Sequence, residues 1–117
     1  MSTDPDCLFC RIVAGEIPAT VVREDEATVA FRDVNPQAPT HVVVVTREHY
    51  ADAGVLAGAD PTLAGAVMAA AAEVAAGEGI DADGYRLVFN TGAGAGQTVF
   101  HVHCHVLGGR TMTWPPG

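Results

Sequence analysis

Basic residues are scarce in this chain. Of its 117 residues only 6 are Lys or Arg, against 14 Asp and Glu, giving a net charge of −8. A nucleic-acid-binding face needs clustered cations to neutralise phosphates, and six scattered ones argue against such partners. The acidity still leaves room for one small anionic ligand held locally by backbone N–H groups and imidazoles. Long hydrophobic runs are also missing. None approaches the roughly 20 apolar residues that span a bilayer, so no membrane partner is expected. The opening stretch Met1-Ser2-Thr3-Asp4-Pro5-Asp6 lacks the basic-then-apolar layout of a signal peptide, and residues 1–5 are expected to be flexible. Cysteines number 3, an odd count that suits a reducing cytoplasmic setting with free or metal-bound thiols better than a disulfide framework. What is present in quantity is apolar side chain, 49% of the chain, enough for one real core. Below about 150 residues a second independent domain is not expected, so 1–117 reads as one domain.

Leu8, Phe9, Ile12 and Val13 fall at helical spacing, with Asp6 as N-cap and Gly15 as stop. Thr20 to Arg23 and Ala27 to Arg32 read as strands around the acidic turn Glu24-Asp25-Glu26. Residues 33–39 form a loop punctuated by Pro36 and Pro39. His41 to Val45 reads as a strand buried on both faces, and a short helix is expected near Thr46. Asp60-Pro61 opens the longest helix, which runs to Gly77 or Gly79. Tyr85 to Asn90 alternates as a strand, Gly92 to Gly96 is a flexible loop, and Thr98 to Leu107 is a further strand. The fold class is α+β around a mainly antiparallel sheet.

The chemistry concentrates in His101-Val102-His103-Cys104-His105-Val106-Leu107. Alternation along a strand puts the three imidazoles on one face, about 7 Å apart, while Val102, Cys104 and Val106 face a core. Three titratable rings on one face point to a catalytic centre or a metal site. Neutral imidazole, abundant at pH 7, attacks phosphorus and forms a covalent N–P bond, while flanking rings fix tautomers and donate to phosphoryl oxygens. His41 follows a Pro-rich loop and could reach the same cluster across neighbouring strands. The three glycines of Gly92 to Gly96 allow close approach of N–H groups to a phosphate, yet fit neither a P-loop nor a dinucleotide fingerprint. Cys7 and Cys10, at i and i+3, are core filler, a redox pair or half of a zinc site; for zinc, His49 and His101 are the best further ligands, and a Cys2His2 set is structural.

The segment from His101 to Leu107 resembles the signature of the histidine triad superfamily. The likeness covers nearly the whole chain. Phe31 to His41 resembles the family's central segment, and Leu107 to Arg110 with Trp114-Pro115-Pro116-Gly117 resembles the tail of its nucleotide-binding phosphoramidase branch. This resemblance implies a five-stranded antiparallel sheet with two main helices, paired in a homodimer as a continuous ten-stranded sheet. It implies hydrolysis of purine nucleoside 5′-monophosphoramidates with an amine leaving group, and no cofactor required for catalysis. By match to the motif, His103 is the nucleophile, and His105 and His41 contact the phosphate and orient His103. Asn90, Gln97 and Thr98 line the phosphate pocket, Thr98 or a histidine helping to protonate the leaving amine. Asp33 holds the ribose hydroxyls, and Leu8, Phe9, Ile12, Ile17, Phe31 and Val34 form the cleft for the base. The tail, 108–117, contributes to the site, with Trp114 reaching the partner's centre. Thr98 stands where many members carry serine. The Cys7/Cys10 pair is shared with the members that carry zinc with histidines matching His49 and His101, which would remove His101 from direct catalysis.

Three other functions remain open from sequence. One is cleavage of dinucleoside polyphosphates, another is a hydrolase whose His101, His103 and His105 hold a catalytic zinc, and the third is a nucleotide-binding regulatory module. The tail favours the phosphoramidase, and the second lacks a nearby carboxylate base.

Overall fold

The computed structural model describes residues 3–117, so the first two positions of the segment expected to be flexible lie outside the described residues. Five strands form one antiparallel sheet in the order β1-β2-β3-β5-β4, with β1 Val21–Glu24, β2 Thr28–Arg32, β3 Thr40–Thr46, β4 Tyr85–Val88 and β5 His103–Gly108. Three α-helices accompany it, α1 Leu8–Val13, α2 Ala53–Ala59 and α3 Pro61–Gly77, the short α2 standing beside the two main helices that the resemblance implies. Local chemistry sets their ends. The Sγ of Cys7, not Asp6, accepts from the Cys10 amide to cap α1, and Gly15 ends it at φ +78°. Asp60 accepts from the Leu63 amide and Pro61 occupies the first turn of α3, as the Asp-Pro pair predicts.

β3 is buried along its whole length and divides the molecule into two layers. Val42 and Val44, with Cys104 and Val106 of β5, pack on Val67, Ala70, Ala71 and Val74 of α3. On the opposite face Val43 and Val45 pack with Phe9, Cys10 and Phe31 beneath α1. Both layers follow from the two-residue alternation of strands. The register pairs Val43 with His105 and Val45 with His103, placing both histidines under α1.

Two expectations need correction. The short helix does not begin near Thr46. That residue pairs with Thr28 as the last residue of β3, and α2 starts at Ala53 behind an Asp52 cap. Likewise β5 begins at His103, not Thr98. The preceding residues turn toward the segment after β3, where the Val102 amide donates to the Tyr50 carbonyl and His101 Nε2 to that of Thr46. The glycine-rich loop holds a short 3-10 turn, Ala93–Ala95.

At Gly108 a Cβ would lie 2.5 Å from Ile80 Cδ1. Gly108→Ala is therefore expected to destabilise the fold by about 1–3 kcal/mol through overpacking, read as a lower urea midpoint at unchanged m-value.

Candidate functional site

His103 is nearly buried, and its Nδ1 lies 2.7 Å from the His101 carbonyl oxygen. A carbonyl only accepts, so Nδ1 carries the proton and, in the neutral ring, Nε2 keeps its lone pair. Phe9 presses edge-on against the ring with centroids 5.0 Å apart. Burial lowers the pKa of His103, opposed by the His101 hydrogen bond and the charge of Asp33, so the ring is neutral at pH 7.

A second chain of hydrogen bonds fixes the neighbouring rings. The Gln37 amide donates to His41 Nδ1 at 3.0 Å, which leaves the His41 proton on Nε2. That N–H faces His105 Nδ1 at 2.9 Å, so His105 accepts there and carries its own proton on Nε2. Asp33 Oδ2 stands 3.4 Å from His41 Nε2. His41 lies diagonally across the β3–β5 ladder from His105, within reach of long side chains. Burial first, then the nearby His103 and His41, push His105 down to about 4 despite Asp33. Asp33, His41 and His105 sit close enough to suggest a cation site. A metal on His41 Nε2 would need a lone pair there, however, and the ring's single lone pair already accepts from Gln37. This is a proton-ordered relay.

The low pKa of His105 carries a sign for stability. The unfolded ring titrates near 6.5, so between about 4 and 6.5 the unfolded state binds more protons. The contribution is complete above about pH 6.5 and is lost as the pH falls toward 4. A lower urea midpoint at pH 5 than at pH 7 is the expected result.

The histidines floor a cleft of about 720 Å³. Phe9, Phe31, Leu8, Ile12 and Ile17 make its apolar wall, Asp33 and the fully exposed Val34 one rim, and Thr98 another. Val43, Val99 and the Pro18–Thr20 stretch also line it, and sequence reasoning missed them. Val43 was findable, since strand alternation puts it on the same face as His41.

Four expected residues lie off the cleft surface. His41 stands behind His105. Gln97 is a buried brace whose side chain accepts from the Gly92 amide and donates to the Ala51 and Val99 carbonyls, leaving nothing to meet a phosphate. Asn90 follows the last β4 pairing, Val88 with His105, and is not among the lining residues. Trp114 is 83% exposed, in a tail held by Arg86, which donates to the Thr113 carbonyl.

His101 does not join the other two rings. It is fully buried, and its Nε2–H donates to the Thr46 carbonyl at 2.7 Å, aiming the Nδ1 lone pair at Cys7 Sγ and Cys10 Sγ, each 3.4 Å away. His49 Nδ1 is 3.1 Å from His101 Nδ1 and 3.4 Å from Cys10 Sγ. Tetrahedral zinc with bonds of about 2.1–2.3 Å separates its ligand atoms by roughly 3.4–3.8 Å, close to this spacing. Two sulfurs, two imidazole nitrogens and a carbonyl-anchored ring fit a structural zinc. The same placement rules out a single zinc shared by His101, His103 and His105, because His103 Nδ1 and His101 Nε2 both donate to carbonyls and the His101 lone pair faces the thiols.

The fold and site thus define an α+β protein with tautomer-fixed histidines flooring an apolar cleft, beside a Cys2His2 cluster. The chain belongs to the HIT domain family, which it matches over residues 14–112. It is 48% identical over 112 residues to an uncharacterized HIT-like protein of Synechocystis sp., covering 96% of this chain and 97% of that one. It is 46% identical to a 14 kDa zinc-binding protein of Zea mays, over 97% of this chain and 90% of the relative. A crystal structure of a HIT family hydrolase from Legionella pneumophila Philadelphia 1 superposes with a TM-score of 0.92 at 51% identity, covering 96% and 100% of the two chains. Cys7 and Cys10 precede the matched family segment. Among the described residues no helix is long and apolar enough to cross a membrane.

Proposed function

We propose that this protein is a nucleotide-binding hydrolase that cleaves purine nucleoside 5′-monophosphoramidates through a nucleotidyl-His103 intermediate. The observation that carries the reading is the His103 tautomer. Its proton is committed to the His101 carbonyl, so Nε2 presents a lone pair on a cleft whose walls are apolar and whose rim bears a carboxylate. In the first step Nε2 bonds to phosphorus, the P–N bond breaks, and the amine leaves with a proton from the His105 Nε2–H or the Thr98 hydroxyl. The imidazole then carries the phosphoryl group on Nε2 and its original proton on Nδ1, where the His101 carbonyl stabilises the positive ring. In the second step water attacks phosphorus and returns its proton to the group that protonated the amine, the N–P bond breaks, and the nucleotide leaves. The purine lies between Phe9 and the Ile12, Ile17 and Phe31 side chains, and Asp33 accepts from the ribose diol.

Two features of the same reading concern assembly. Among the described residues β4 has one unpaired edge, and α3 exposes Met68, which suits a second copy that would extend the sheet and bring Trp114 to the neighbouring cleft. Zinc in the Cys7, Cys10, His49 and His101 cluster is structural.

The test is turnover of an adenosine phosphoramidate against diadenosine tetraphosphate, with intact-protein mass spectrometry during the slower reaction. Preference for the phosphoramidate and a nucleotidyl adduct on His103 are expected. A large preference for the tetraphosphate, or turnover with no adduct at any time, would overturn the assignment.

A further inference from the structure

His101 belongs to two sites at once. Its side chain points into the Cys7, Cys10 and His49 cluster, while its backbone carbonyl accepts the Nδ1 proton of His103 at 2.7 Å. A second link runs through α1. Cys7 caps this helix and Cys10 lies in it, and between them Phe9 packs edge-on against both His101, at 6.1 Å, and His103, at 5.0 Å. The helix is only Leu8–Val13, too short to hold itself, and short helices gain their order from tertiary contacts. The segment before β5 is likewise outside the sheet, held by the Thr46 and Tyr50 carbonyls and by the cluster.

We infer that metal in the Cys7/Cys10/His49/His101 cluster positions the attacking ring, fixing the His103 tautomer and the α1 wall of the cleft through His101 and Phe9. His101 is then a positioning residue that never meets the substrate. The ion would draw the His101 and His49 lone pairs and both sulfurs onto one centre, and so hold the His101 peptide where its carbonyl can take the His103 proton. Without it, His101 and His49 share one proton across their 3.1 Å contact, and the thiols give only weak hydrogen bonds. The His101 carbonyl then moves, and His103 partitions between tautomers, of which the Nε2–H form cannot attack phosphorus. This inference rests on His103 as the nucleophile of the proposed reaction; the tautomer itself is measured without any substrate.

The experiment uses the full chain, isotopically labelled at histidine, in three forms: zinc-loaded, chelator-stripped and reloaded. Three quantities are read below the melting temperature. They are the His103 tautomer by long-range 1H–15N NMR, the dissociation constant of AMP, and the single-turnover rate of nucleotidyl transfer to His103. Far-UV circular dichroism reports whether the stripped chain stays folded. Loaded protein should show one His103 tautomer, Nδ1–H. Stripped, folded protein should show both, with AMP bound several-fold more weakly and transfer at least about tenfold slower, all restored by zinc. An unchanged tautomer and unchanged transfer rate in folded, stripped protein would overturn the inference. If stripping unfolds the chain, substitution of the larger Cd2+ decides: a shift of the His103 ring resonances and a slower transfer support coupling, and identical resonances and rate refute it. Loaded protein with the Nδ1–H tautomer and no transfer from any phosphoramidate would instead defeat the proposed function and leave the positioning of His103 standing.

Discussion

His103→Ala is expected to lower phosphoramidate turnover by at least about 10⁴-fold, the scale of losing a nucleophile, and to abolish the covalent adduct. The loss falls in the rate of transfer and not in binding, because the cleft's apolar wall and Asp33 remain in place. AMP affinity within a few-fold of the parent is therefore part of the expected result. Folding should survive, since the truncated ring borders the open cleft, where water fills the space that a sealed core would leave as a cavity. An alanine variant that turned over at even a hundredth of the parent rate would mean that another group attacks phosphorus.

Removal of metal is expected to lower the melting temperature by roughly 10–20 °C, the size of several kcal/mol in a domain of this length. The cluster joins three separate stretches: α1 with its Cys7 cap, the segment after β3 and the approach to β5. Within the described residues the other ties between these stretches are the His101, Val102 and Gln97 bonds to the Thr46, Tyr50 and Ala51 carbonyls and the packing of Phe9 on His101. A Cys7→Ser, Cys10→Ser pair should match the stripped parent in melting temperature and gain nothing from added zinc. Equal melting temperatures with and without metal would remove the structural role.

Much of this was legible in the chain. Asp60-Pro61 marks a helix start by backbone chemistry alone, and the alternation of Val102, Cys104 and Val106 with His103 and His105 predicts two faces, which the core clusters reproduce. His41 was legible as a candidate because it follows a Pro-rich loop and opens a buried strand, and that strand pairs beside β5. The proton order was not. It depends on the Gln37 amide and the His101 carbonyl, backbone groups whose aim comes from tertiary geometry and leaves no trace in residue type. Gln97 misled for a related reason: an amide suits a phosphate as well as it suits three backbone partners, and only the loop's path decides. The three-histidine spacing likewise suggested one continuous strand, whereas His101 lies before it and is turned to the cysteines.

β3 gives these roles an arithmetic form. Along Thr40–Thr46 the valines at even positions, Val42 and Val44, meet α3, while His41, Val43 and Val45 at odd positions meet the reactive layer. Parity of residue number therefore sorts mutational consequences along a single strand. Changes at Val42 and Val44 register in melting temperature alone, whereas changes at the odd sites register in catalysis as well, so substitution can tune stability at the two even valines without touching the reactive layer.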